Sequence, residues 1–252
     1  MINTTKIDTP YYTSEGLNPI LNGLILYCTS DNSDYIWIDL SGYNHVINTT
    51  NTTRVDIHPS LTLGKRVRFN GILNYANITP APIIGDKTQW TISIWYKSTS
   101  TVANGSLYME GSTIIRNPSL GIKLNYASAA NVSYPGSVRF KYTDNNSVDG
   151  SLTSPNVGAN DGEWHEITAV QYNKSSRELF FDGISVATNT STVGSMSLID
   201  TSTMGALMRS VLEDYLQCDI GRIVIYNRSL LLSEIQYNRI HSAPYYIKND
   251  II

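Results

Sequence analysis

An all-β chain, built as two antiparallel sheets packed face to face with one short helix near the C-terminal end, is predicted by three features of these 252 residues. Short runs rich in β-branched and aromatic side chains recur along the chain, several with strict period-two alternation. Turn residues separate these runs every ~8 to 12 positions, the spacing of a β-sandwich. A helix start signal comes late, at Ser233-Glu234, where Ser can cap the first turn and Glu complements the helix dipole.

Residues 1–20 lack periodicity and contain Pro10, Gly16 and Pro19, so they form an extended arm. "GLILYC" (Gly23 to Cys28) is the first strand. "TSDNSDYIWIDLSGYNH" follows, its Asp, Asn, Ser and Gly clustered as in turns closed by side-chain oxygens. In "KRVRFNG", Arg66 and Arg68 alternate with Val67 and Phe69, which predicts a half-buried strand. In "WTISIWYK", Trp90, Ile92, Ile94 and Tyr96 share one face and Thr91, Ser93, Trp95 and Lys97 the other. "STIIRN", "LGIKLNY" and "SVRFKY" are further short strands, and 143–161 is a long polar connection. From Gly162 to Thr190 the chain is a three-stranded meander, broken at Asn173-Lys174-Ser175-Ser176 and closed at Asp182-Gly183 by a type I′ turn. "CDIGRIVIYNR" is the last strand, and "SEIQYNRIH" the helix. With no internal repeat and no linker, the division is an arm (1–20), one sandwich domain (21–242) and a tail (243–252).

The net charge of −3 and the absence of any basic run argue against a nucleic-acid partner. No segment approaches the ~18 apolar residues of a membrane-spanning helix. "MINTTKIDTPYY" has no apolar core of a secretion signal, so work at a surface implies arrival by assembly into a particle, by lysis or by another route. Two cysteines, Cys28 and Cys218, cannot make a disulfide framework and are expected as buried free thiols. The Asn-X-Ser/Thr triplets follow from a chain rich in those residues.

The ordered pieces "GLILYCTSD", "DLSGYNH", "GKRVRFNGILNYANI", "WTISIWYK", "GEWHEITAVQYNKSSRELFFDGISVAT" and "DIGRIVIYNRSLLLSEI" cover about residues 22 to 240. In that order the chain resembles the laminin-G-like branch of the concanavalin A-like lectin/glucanase superfamily. The resemblance implies a jelly roll with the first and last strands adjacent. It also implies a function drawn from sugar binding, adhesion, protein binding or particle surfaces, with glycosidases in related branches. Fold alone does not choose among these. Many such domains hold a structural calcium between an Asp after the first strand and an acid in the last. Asp31 matches the first place. Gly221-Arg222 replaces the second, so Asp219 is the substitute ligand, and Asp31 alternatively caps turn amides.

Glycoside hydrolysis calls for two carboxylates facing one bond. Glu163 and Glu166 point to opposite faces, and Asp182 belongs to a turn rather than to the strand of Glu178. No nucleophile elbow accompanies His45, His58, His165 or His241, and no pair of His or Cys has zinc-ligand spacing. The expectation is a non-enzyme. Sugar recognition would use aromatic faces. Trp95 is the leading residue because its face opposes Trp90 and Ile92, with Tyr126 and Tyr142 on neighbouring strands. The resemblance also allows this Trp a packing role.

The leading expectation is a structural or surface-display protein at a virion or extracellular surface, such as a decoration, fibre or tail-associated part of a virus or phage. Its arms would mediate self-assembly or docking to protein partners. The alternative is a carbohydrate-binding or host-recognition module directed at a cell-surface glycan, and a glycan-cleaving enzyme is a remote third.

Overall fold

A computed structural model describes residues 19–30, 37–50, 66–128 and 134–246. Most of the arm, Asp31 and residues 247–252 of the tail lie outside the described residues.

Alternating residues make the strands. In chain order they are β1 (Leu24–Ser30), β2 (Trp37–Asp39), β3 (Val46–Thr50), β4 (Val67–Asn70), β5 (Tyr75–Thr79) and β6 (Trp90–Lys97). Next come β7 (Gly105–Gly111), β8 (Ser119–Leu124), β9 (Val138–Thr143), β10 (Leu152–Thr153), β11 (Trp164–Asn173) and β12 (Ser176–Phe181). The last are β13 (Ile184–Asn189), β14 (Thr201–Met204), β15 (Leu207–Arg209), β16 (Val211–Glu213) and β17 (Gln217–Tyr226), followed by helix α1 (Leu232–Tyr246). One sheet runs β13-β12-β11-β6-β17-β1-β2, with β4 also on β17, and the other runs β10-β9-β8-β7-β14-β5-β3. All the pairings are antiparallel, which gives the two-sheet sandwich expected from the sequence.

The first and last strands are neighbours, with Cys28 opposite Ile223. Cys218 lies five register positions further along β17, opposite Phe69, about 16 Å away at ~3.3 Å per residue. Both cysteines are buried and free. The Asp182-Gly183 turn has φ of 52° and 78°, the two positive values that a type I′ hairpin needs.

Ile92, Ile94 and Trp90 meet Ile122, Phe140 and Tyr142 between the sheets, in one continuous core. The other face of β6 is also buried, because α1 lies across it: Thr91, Ser93 and Trp95 are all inaccessible. A smaller apolar cluster of Leu24, Val170, Phe180, Val224, Tyr226, Leu230 and Ile235, joined by Ile20, seats the first half of the helix.

Four points refine these expectations. "STIIRN" is not a strand: between Gly111 and the cis Asn117-Pro118 bond it forms a loop that leaves Ile114 78% exposed. The helix cap is Leu231 rather than Ser233, since Glu234 reaches back to accept the Leu231 N–H (2.8 Å) while also pairing with Arg228. The 143–161 connection is anchored: Asp144 accepts the amides of Asn146, Val148 and Gly194, and the Tyr96 hydroxyl donates to Ala159 O. The helix also continues to Tyr246, into the stretch assigned to the tail.

Candidate functional site

The site is built where β8 turns into β9, on the outer face of the seven-stranded sheet. Val138, Phe140 and Tyr142 point into the core, so Arg139 and Lys141 face outward, as does Lys123 between Ile122 and Leu124. The root of the connection is fixed by side-chain amides. Asn125, in the left-handed region (φ 54°), accepts the Gly136 N–H (2.9 Å) and donates to Ser100 O (2.6 Å). Asn104 exchanges two hydrogen bonds with the Ala127 backbone at 3.2 Å each. Gly136 lies in the left-handed region (φ 68°), where a side chain is strained, and a Cβ there would also press on Asn156 Oδ1 at 2.4 Å.

On this root Tyr126 and Tyr134 stack almost parallel, with centroids 5.7 Å apart and planes at 13°. The Arg139 guanidinium covers Tyr126 at 3.9 Å and donates to Asp149 at 2.9 Å. Tyr126 is half-buried, while Tyr134 is 43% exposed and presents its ring to solvent. Lys123 pairs with Asp214 and Arg209 with Glu213 (2.7 Å), the latter two from the β15–β16 hairpin. Burial, with the charges of Arg139, Lys123 and Arg209, pushes Lys141 down to about 8, against the opposing charge of Asp149. The arrangement offers an aromatic platform beside ammonium and guanidinium donors, the chemistry that holds a pyranose ring and its substituents.

The three aromatic residues expected to bind sugar are therefore not equivalent. Tyr126 lies at the site. Trp95 is enclosed beneath α1, its Nε1 donating to Ser242 Oγ at 2.8 Å, and Tyr142 is enclosed between the sheets against Trp90 and under Arg177. Neither can stack on a ligand. Tyr134 and Lys141 were not singled out from the sequence, since Tyr134 sits in a segment without alternation and Lys141 looks like any strand lysine.

Asp219 is buried and engaged by cations: Arg68 donates to it through a fork at 2.7 and 2.9 Å, and Arg66 lies at 3.4 Å. Its oxygens are committed, so it does not fit a calcium site; Asp31 lies outside the described residues. Among the described residues no group of three or more His, Cys, Asp or Glu side chains could hold a metal ion.

Of the carboxylates weighed for hydrolysis, Glu163 is exposed at the bend before β11, and the other three are engaged elsewhere. Glu166 is buried beneath α1, accepting from Ser93 (2.7 Å) with Arg222 at 3.7 Å; burial raises its pKa, against the Arg222 charge. Glu178 accepts from Tyr172 and Ser185. Asp182 and Asp161 hold the two ring nitrogens of His165 at 2.8 and 3.0 Å. Burial opposes charge on that imidazole, yet the two aspartates outweigh it and raise its pKa. In "DLSGYNH", Asp39 accepts the Ser41 and His45 amides, so the segment is a turn scaffold.

A family profile described as "Concanavalin A-like lectin/glucanases superfamily" matches residues 70–236. Comparison with curated protein sequences finds no match. Among solved structures, a receptor binding domain superposes with a TM-score of 0.63 at 16% identity, covering 90% of this chain and 52% of its own. A binding domain of botulinum neurotoxin DC in complex with SialylT gives 0.61 at 14% identity, over 89% and 52%. A binding domain of the same neurotoxin in complex with rat synaptotagmin II gives 0.60 at 15%, again over 89% and 52%. At these identities the likeness is one of fold, and the chain spans about half the length of those domains. Among the described residues no helix is long and apolar enough to cross a membrane.

Proposed function

The chain belongs to the concanavalin A-like lectin/glucanase superfamily, and from that premise we propose that it is a non-catalytic recognition module that binds a cell-surface glycan through the outer face of its seven-stranded sheet. The observation that carries this reading is the Tyr126–Tyr134 stack under Arg139, pre-organised by Asn125 and Asn104 and open on its Tyr134 side. A fixed aromatic platform loses little entropy on binding. The carboxylates near it, Asp149 and Asp214, are paired with Arg139 and Lys123, which favours holding a sugar over cleaving one.

A glycan array with the full chain tests the reading, followed by Tyr134→Ala. Loss of stacking lowers affinity for the selected glycan by about one to two orders of magnitude, whereas Ile114→Ser, at the opposite end of the strands, leaves it unchanged. An array without any bound glycan, or full binding by Tyr134→Ala, sinks the proposal.

A structural role on a larger body is compatible with this and has its own support. The amide of Ile20 is bonded to Asn238 of α1 (3.2 Å), so the chain enters the sandwich against the same helix that ends its described part. Mounting through that side would leave the recognition face outward, as a decoration, fibre or tail component of a virus or phage particle requires. Light scattering on full-length and 19–252 protein, with particle incorporation, tests the mount; unchanged assembly after truncation argues against it.

A further inference from the structure

We infer that the glycan taken by this site is anionic, its carboxylate or sulfate meeting the Lys141 ammonium; the inference rests on the recognition reading above. The argument starts from sheet register. Lys123 on β8 stands directly opposite Arg139 on β9, and Lys141 follows Arg139 on the same outer face, about 7 Å along the strand. Like charges facing one another across a ladder repel, so such a grouping needs counter-charge. Arg139 has Asp149, Lys123 has Asp214 and Arg209 has Glu213. Lys141 makes no hydrogen bond or ion pair with a described residue, although it is half-buried and feels the opposing charge of Asp149, whose carboxylate is held by Arg139. Four cations thus face three carboxylates here, in a chain whose net charge is −3.

Across the ladder Lys141 meets no counter-charge. The register partner of Lys141 is Gly121, whose own partner across β7 is Met109. Gly121 cannot be replaced, because a Cβ would lie 2.1 Å from Tyr108 O. The Met109 sulfur already lies 2.7 Å from where that Cβ would stand, so the step beside Lys141 is closed by an apolar thioether and supplies no counter-charge. Burial and three neighbouring cations make the charged form of Lys141 costly, and a bound anion offsets that cost directly. A neutral sugar would stack on Tyr134 and leave the surplus charge unanswered.

Equilibrium binding of the full chain to three probes on one oligosaccharide backbone, neutral, sialylated and sulfated, tests the inference and distinguishes the two anion sources. At least one acidic probe should bind about tenfold more tightly than the neutral one, with the advantage shrinking as salt is added. In Lys141→Gln the ratio of acidic to neutral affinity should fall to about one, and in Lys141→Arg it should persist. Bound acidic probe should also protect Lys141 from amine acylation, read by peptide mass spectrometry, which locates the contact without a mutation. Equal affinity for all three probes, or a ratio unchanged in Lys141→Gln, overturns the inference and leaves glycan recognition standing. Failure of every probe and of the array to bind overturns both.

Discussion

The indole of Trp95 on β6 and the hydroxyl of Ser242 on α1 are joined by a 2.8 Å hydrogen bond that fastens the second half of the helix to the sheet. The same hydroxyl accepts from Arg222 (3.1 Å) and donates to Asn238 O (2.6 Å). Arg239 completes the clamp, lying over the Trp95 ring and donating to Asp182 at 2.8 Å. Where the first half of α1 rests on apolar residues, this half rests on buried polar groups that need one another.

Ser242→Ala should therefore cost about 1 to 3 kcal/mol, because it removes three buried hydrogen bonds made by one hydroxyl. Urea denaturation measures it. A change within ~0.5 kcal/mol would mean that water replaces the hydroxyl and that the clamp contributes little.

Ile92→Ala should cost about 2 to 5 kcal/mol through the cavity left between the sheets. Thr91 is not the mild neighbour that its alternation implies. Its hydroxyl donates to Arg228 O (3.0 Å) and accepts the Leu230 N–H (2.9 Å), joining the end of β17 to the start of the helix. Thr91→Val, which keeps the volume and removes both bonds, should cost about 1 to 3 kcal/mol. Stability equal to the parent protein would show that these bonds add nothing net.

Period-two alternation was enough to place Trp90, Ile92 and Ile94 inside and to find the meander, because one buried face leaves a local trace. It could not show that α1 covers the other face, since Thr91, Ser93 and Trp95 read equally well as a solvent face. The strand "GSLYMEG" went unrecognised because Gly105, Ser106, Glu110 and Gly111 are weak strand formers, although the strand is buried throughout. Arg68 and Asp219 are each visible as lone charges; only the β4–β17 register makes them a pair. The candidate site was legible only at Tyr126, because its other parts come together through a connection, a hairpin and a neighbouring strand.

Glu110 should make stability pH-dependent. Its carboxylate is buried and accepts from the Ile84 and Gly85 amides and the Tyr108 hydroxyl; burial pushes its pKa up to about 7, against those hydrogen bonds. A folded-state value above the unfolded one means that the proton is held more tightly in the folded protein. Its contribution is fully present below the ordinary value of 4.5 and is lost as pH rises through about 7. The urea midpoint should thus fall more between these values in the parent protein than in Glu110→Gln. Parallel pH profiles for the two proteins would remove Glu110 as the cause.

Calcium should leave the stability of the sandwich unchanged as far as Asp219 is concerned, because its two oxygens already accept from the Arg68 fork. A cation would have to displace a guanidinium and face Arg66 as well, with desolvation against it. Asp219→Asn should lower stability by about 1 to 3 kcal/mol, a range held down by the partial exposure of Arg68. That loss should be the same in calcium and in chelator. Thermal melts of parent and variant under both conditions give the four values needed. A parent protein stabilised by calcium, with the gain abolished in Asp219→Asn, would reinstate Asp219 as a ligand. A gain that survives the substitution would instead direct attention to Asp31, the other acid that the resemblance implicates.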